Sequence, residues 1–360
     1  MDKKRVLLAM SGGTDSSVAA LLLKEQGHEV VGITFRTWDS IPSAFTEKEK
    51  GSFSADAIVN AQEFAREINI EHHIIDLRQT FRETVIRDFT DEYLAGRTPN
   101  PCILCNKIIK WGKLMEQVSA FGCDYLATGH YAGIKQENNR YFLKKGADET
   151  KDQSYFLWML TQENLERTIF PLGGYHKEKI KKIAVQKGFS HLGNRKESQE
   201  ICFIPDDDYR GFLKEQKPDI EKILNGGDFV STDGKVLGKH KGYPFYTIGQ
   251  RKGLEVAVGY PLYVTRIDPQ NNTVTLGKRE EIENTSMLVQ NINLMKYPEL
   301  KAGKEAEIKV RYRNQGEKGK IYPQADGIRV EFEHGVFAIT PGQSAVFYEG
   351  DEVLGGGIIT

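Results

Sequence analysis

The first chemistry legible in this 360-residue chain lies in Ser11, Gly12, Gly13, Thr14, Asp15 and Ser16, set directly after the apolar run RVLLAM. A short strand that enters such a loop and leaves it as a helix builds an anion cradle. The two glycines let the backbone turn tightly with its N–H groups inward, and the positive end of the helix favours phosphate. Ala9 and Met10 close the strand at the edge of this cradle. The lysine of a G-x-x-x-x-G-K-[ST] loop has no counterpart here, which argues against a kinase or GTPase. The plainer reading is a glycine turn with Asp15 or Ser16 as an ordinary helix cap, but capping alone calls for neither two glycines nor so many hydroxyls. A second centre is sulfur. Cys102, Cys105, Cys123 and Cys202 are too few for a disulfide framework in a chain with no secretory signal. Pro99 and Pro101 predict a rigid, extended loop immediately before Cys102-x-x-Cys105, the setting of a positioned nucleophile. Cys202 stands in EICFIP, where Ile201, Phe203 and Ile204 can bury its surroundings, and Cys123 reads as packing.

The elements that must position these groups follow from pattern and composition. Hydrophobic content of 39%, charged content of 28% and a net charge of −1 describe a soluble chain of two or three domains. The amino-terminal apolar run is too short for a signal peptide, and no run spans a membrane, so the reading is cytoplasmic. Near-neutral charge does not exclude RNA, because charges of both signs can be sorted onto different faces. After the loop come a helix over 18–26, the strand-like HEVVGITF, a polar loop over 39–51, a helix over 55–68 and the strand-like EHHIID. Helices over 81–93 and 106–121 and the strand DYLATG follow. This alternation predicts an α/β fold with a doubly wound parallel sheet, with Gly129 and His130 at its ligand edge beside Ser11. From about residue 207 the texture becomes glycine-punctuated short strands, and the last segment reads as a small β-barrel. The domains expected are 1–206, 207–280 and 281–360.

The order S-G-G-x-D-S resembles the pyrophosphate loop of ATP pyrophosphatases, which split ATP into AMP and pyrophosphate and use AMP to activate a substrate oxygen. That resemblance implies phosphate contacts from Ser11 and Ser16 and Mg²⁺ on Asp15. It extends much further. SGGTDSS, GRTPNPCILCN, YLATGHY, KDQSYFL, ICFI, IGQRKGL, VRYR and TPGQSAVFY occur in the order and at about the spacing of bacterial tRNA 2-thiouridylases. The chain is identified as a member of that family from near residue 5 to near residue 357.

What the family implies is an adenine nucleotide alpha hydrolase-like domain that adenylates the C2 oxygen of the wobble uridine in tRNA, after which sulfur displaces AMP. Sulfur would arrive as a persulfide on Cys202, loaded by an upstream sulfur-carrier protein. Cys105 would then attack it, leaving a transient Cys105–Cys202 disulfide, or the persulfide would attack the base directly. ATP contacts carried over are Ala9, Met10, Ser11, Gly12, Gly13, Thr14, Asp15, Ser16, Phe35 and Gly129. Asn100, Pro101 and Cys102 would flank the target base. His130, Lys151, Asp152, Gln153, Arg311, Tyr312 and Gln343 stand at tRNA-contacting positions. Neither a membrane nor DNA is implied as a partner.

Position 102 departs from the family's usual aspartate, which removes a fixed charge and adds a third thiol. Cys102, Cys105 and Cys202 could then ligate a [4Fe–4S] cluster with one iron open to hydrosulfide, or zinc with a fourth ligand. Two other readings compete. A synthetase or amidotransferase built on the same loop has no use for PNPCILCN and ICFI, and an RNA- or metal-binding module with a vestigial loop conflicts with the intact Ser11, Gly12, Gly13, Asp15 and Ser16.

Overall fold

The computed structural model describes residues 3–38, 55–193, 201–204 and 207–360. The polar loop expected over 39–51 lies outside them. The first module is built on β1 (Arg5–Ala9), β2 (Glu29–Arg36), β3 (Glu71–Asp76), β4 (Tyr125–Ala127) and β7 (Thr168–Ile169). They form one parallel sheet in the order β3-β2-β1-β4-β7. Its central strand shows why the apolar run is unbroken: Val6 and Leu8 enter one core and Leu7 the other, all fully buried. Successive side chains of a strand alternate faces, so a sheet covered on both sides needs apolar residues at every position. Helix α1 (Thr14–Glu25) covers the Val6 face, and helical runs over 78–94 and 101–120 cover the Leu7 face. Strand order reverses between β1 and β4, and ligands bind at such a switch point.

Residues 207 onward differ in part from the reading above. Two helices, Tyr209–Gln216 and Ile220–Leu224, precede the four-stranded sheet of β8 (Gly227–Ser231), β9 (Val236–His240), β10 (Tyr263–Asp268) and β11 (Thr273–Gly277). Phe212 of the first helix and Phe229, Val264 and Val274 of the sheet join the same apolar core as Phe203, so this module is packed onto the first. The last module is a closed antiparallel barrel. Its strands are β12 (Glu283–Leu294), β13 (Lys304–Lys309), β14 (Glu317–Gln324), β15 (Gly327–Phe337), β16 (Ser344–Glu349) and β17 (Glu352–Ile359), in the order β12-β15-β14-β13-β16-β17, and pairing of β12 with β17 closes the barrel around a core of its own.

A hairpin of the first module, β5 (Ala132–Glu137) and β6 (Arg140–Lys145), extends the barrel sheet through Lys144 opposite Glu352. Arg140 donates to the carbonyls of Leu294 and Met295, and Lys135 pairs with Glu352 at 2.9 Å. The barrel is thereby fixed against the first module. Among the described residues no helix is long and apolar enough to cross a membrane.

Candidate active site

The glycine loop is shaped by what it touches. Gly12 has φ +65°, and a Cβ there would stand 2.2 Å from the carbonyl oxygen of Ala57, so only glycine lets the loop turn against that helix. Across the sheet switch, a Cβ on Gly129 would come 3.0 Å from the Ser16 nitrogen, so the end of β4 lies directly on the first turn of α1. The Ser11 amide donates to Ser16 Oγ at 3.2 Å, and the two hydroxyl oxygens are 3.4 Å apart. Thr14 plays a different part: its hydroxyl donates to the Leu192 carbonyl at 2.6 Å and anchors the helix start. Asp15 is already engaged. Lys177 Nζ lies 2.7 Å from both carboxylate oxygens, and the Tyr131 hydroxyl donates to Oδ1 at 2.7 Å.

The cysteine segment corrects the expectation of an extended loop up to the thiols. Asn100 is the cap residue and Pro101 the first helical residue, where a missing N–H costs nothing. Cys102 and Cys105 therefore sit on the first turn of a helix. That helix passes into a π-helical stretch, Asn106–Lys113, and residues 102, 106 and 110, four apart, all line one cavity. Ile103 and Ile109 enter the core. The chain ahead of the helix is held by the barrel: Gln343 donates to the carbonyls of Thr98 and Pro99, and the Thr98 amide donates to the Pro341 carbonyl. From the opposite side comes Cys202, carried by Phe203. That ring is buried edge-on against Phe81 and Phe89, with centroids 5.6 and 5.4 Å away.

A cavity of about 300 Å³ unites these parts. Ala9, Met10, Ser11, Asp15, Ser16, Phe35 and Gly129 line one part of it, and Pro101, Cys102, Cys105 and Cys202 another, with His130 and Gln153 between the chain segments that meet there. Gly12, Gly13 and Thr14 shape the loop without lining the cavity, and Asn100 does not line it either. Cys102 is exposed and stands where the cavity meets solvent, whereas Cys105 is buried and Cys202 half-buried. All four cysteines are free, and Cys123 is buried elsewhere with its thiol on the Phe121 carbonyl.

Burial raises the Cys202 thiol and pushes Cys105 up to about 11, and the pocket walls around the Cys102 thiol raise it in the same direction although that residue is exposed. Lys110 is the cation that opposes this at all three. Burial, then Lys110, holds His130 well below the usual imidazole range.

Among the described residues no three His, Cys, Asp or Glu side chains converge closely enough to hold a metal ion. The cysteine trio shares one cavity.

The remaining expected residues divide. Tyr312 packs its ring 4.3 Å from that of Phe156, which lines the cavity, and Arg311 beside it is exposed. Gln153 faces the cavity while its Oε1 accepts from the Tyr131 amide. Lys151 is half-buried. Asp152 is turned inward: the residue is 5% exposed and its carboxylate accepts from the amides of Gly146 and Ser154 and the Ser154 hydroxyl. That side chain shapes the segment rather than facing solvent. Lys110, Tyr131 and Lys177 went unnoticed in the sequence. The four-residue spacing from Cys102 through Asn106 to Lys110 was a usable signal, whereas nothing local links Lys177 to Asp15.

Fold and site together define a nucleotide-binding α/β domain whose phosphate cradle opens onto a pocket of thiols, with a β-barrel at its side. Residues 4–206 match the family model described as tRNA methyl transferase HUP domain, 212–278 the tRNA methyl transferase PRC-barrel domain and 284–359 the aminomethyltransferase beta-barrel domain. A tRNA-specific 2-thiouridylase MnmA of Cytophaga hutchinsonii is 52% identical over 100% of this chain and 98% of its own. That of Amoebophilus asiaticus is 51% identical over 100% and 96%. A 4-thiouridine synthetase–RNA complex with bound ATP superposes with a TM-score of 0.37 at 17% identity, over 60% of this chain and 51% of that one, too slight a likeness to carry an argument. The chain belongs to the family of tRNA-specific 2-thiouridylases.

Proposed function

We propose that this chain is an ATP-dependent tRNA 2-thiouridylase that works through a cysteine persulfide. The observation that carries the reading is the single cavity shared by Ser11, Ser16 and Gly129 with Cys105 and Cys202. ATP would lie with its phosphates over the Ser11 to Ser16 turn and its adenine toward Phe35. A uridine turned out of the anticodon would enter past Asn100, Pro101 and Cys102, so that its C2 carbonyl meets the α-phosphate. Adenylation converts that oxygen into a leaving group, and sulfur from Cys202 displaces AMP within the same enclosed space. Desolvated thiols suit this order: they stay protonated until loading supplies a persulfide, whose terminal sulfur is the stronger acid and ionises first.

Asp15 is the one carboxylate among the described lining residues. Its carboxylate would hold Mg²⁺ brought in with ATP once it shares its charge between the metal and Lys177, and the metal would neutralise phosphate charge. A [4Fe–4S] cluster held by Cys102, Cys105 and Cys202, which share this wall, would be the alternative sulfur carrier for the same reaction. A sulfur-carrier protein is the natural source of the persulfide, and a tRNA substrate implies a cytoplasmic setting.

The test is incubation with unmodified tRNA, Mg-ATP and a persulfide donor. The expected result is a sulfur-for-oxygen mass gain at uridine with release of AMP and pyrophosphate. Nitrogen transfer, or no change in the tRNA while ATP is cleaved, would overturn it. For tRNA contact the barrel edge supplies a separate check. Exposed Arg311, beside Tyr312, would meet the backbone, so Arg311→Ala should weaken tRNA binding, lower the slope of log K against log salt by about one and leave ATP binding unchanged. An unaltered salt slope would remove Arg311 from the interface.

A further inference from the structure

The cavity contains an ammonium group that the steps above do not use. Lys110 lines it, is half-buried, and has no carboxylate within ion-pair distance among the described residues. Its hydrogen-bond partner is His130 Nε2, at 3.4 Å, and His130 Nδ1 lies 2.7 Å from Thr128 Oγ1. An ammonium only donates, so Nε2 accepts, and the imidazole is neutral with its proton on Nδ1, donated to Thr128. His130 therefore brings no charge to balance Lys110. The one acidic side chain on the wall, Asp15, is already paired with Lys177. A partly desolvated cation left without an anion is costly to hold, which marks a place where an anion comes and goes. The three thiols, Cys102, Cys105 and Cys202, line the same cavity, and the Lys110 charge acts on each of them.

We propose that Lys110 is the counter-ion of the sulfur anion in this pocket, holding the terminal sulfur of the Cys202 persulfide and then the Cys105 thiolate during transfer. This rests on the thiolation reading above. In the first step the persulfide anion attacks C2 of the adenylated uridine. A C2–S bond forms, the C2–O bond breaks, and AMP leaves with the electron pair. In the second, the Cys105 thiolate attacks Cys202 Sγ. The Cys105–Cys202 disulfide forms, and the electron pair of the broken S–S bond stays on the sulfur bonded to C2. The proton given up by Cys105 balances the one regained at N3 of the base, and a thiol reductant supplies two electrons to reopen the disulfide. Lys110 keeps its charge throughout and lowers the energy of each sulfur anion in turn.

Two measurements on the full chain test this. The first needs no turnover: peptide mass spectrometry gives the alkylation rates of Cys102, Cys105 and Cys202 by anionic iodoacetate and by neutral iodoacetamide. Their ratio cancels the thiolate fraction and reports the local potential. Lys110→Met should lower it about tenfold, and Lys110→Arg should restore most of it. The second is single-turnover thiolation, in which Lys110→Met should lose about a hundredfold in sulfur incorporation while pyrophosphate release and KM for ATP stay near wild type. An unchanged alkylation ratio overturns the proposal. So does a defect confined to ATP binding and pyrophosphate release, which would make Lys110 a phosphate ligand. A wild-type protein that shows the charge-selective alkylation but never thiolates tRNA would instead overturn the functional reading.

Discussion

Cys202→Ser should abolish sulfur incorporation from a persulfide donor, by at least about 10³-fold, while the first turnover still releases pyrophosphate. The two halves of that result come from opposite parts of one cavity. In the proposed reaction adenylation would use the Ser11 to Ser16 turn and the end of β4, neither of which touches the Cys202 segment through any bond described above. Sulfur delivery needs a group that can carry a second sulfur atom, and a serine hydroxyl cannot. The substitution is close to isosteric at a half-buried position whose anchor, Phe203, stays in place, so thermal stability should move by less than about 1 kcal/mol. Cys105→Ser separates the roles further: the persulfide should still form on Cys202, visible as a one-sulfur mass gain, without multiple turnovers. Normal turnover of Cys202→Ser with the same donor would end the relay and move the search to Cys102, the third thiol on the wall.

Legibility in the sequence followed the range of the interactions involved. Strand β1 could be read because both of its faces are buried by local pattern alone, and the barrel because IRVEFE alternates cleanly. Ile328, Val330 and Phe332 are buried while Arg329 points outward. The glycine turn was legible for a backbone reason that survives inspection: Gly12 is at positive φ against another helix. The helix over 209–216 was missed because YRGFLKEQ is short, contains Gly211 and follows a β-like texture. It is held by Phe212 against Phe203, a contact no window of sequence contains. The hairpin over 132–145 had a signal that was passed over: Asn138 and Asn139, both at positive φ, form the turn between two short strands. Lys177 shows the limit most clearly, since it meets Asp15 across 162 residues of chain.

That last pair carries the other large effect. Asp15→Asn should slow ATP activation by about 10²- to 10³-fold and also destabilise the catalytic module. Lys177 is 9% exposed, so removing the Asp15 charge leaves a nearly buried ammonium with less negative charge to balance it. Breaking a fully buried pair costs about 3–5 kcal/mol, but Asp15 is 35% exposed and water relieves part of this, so the expected loss is about 2 kcal/mol. Stability and catalysis separate in the double variant Asp15→Asn with Lys177→Met. Replacing both partners removes the stranded charge, since methionine fills much of the lysine's volume, and the unfolding midpoint should return most of the way to wild type. Activity should not return, because the carboxylate that faces the nucleotide is still missing. A double variant that regains ATP cleavage along with stability would mean that Asp15 serves only to neutralise Lys177, and the phosphate chemistry would then belong to the hydroxyls and backbone of the loop.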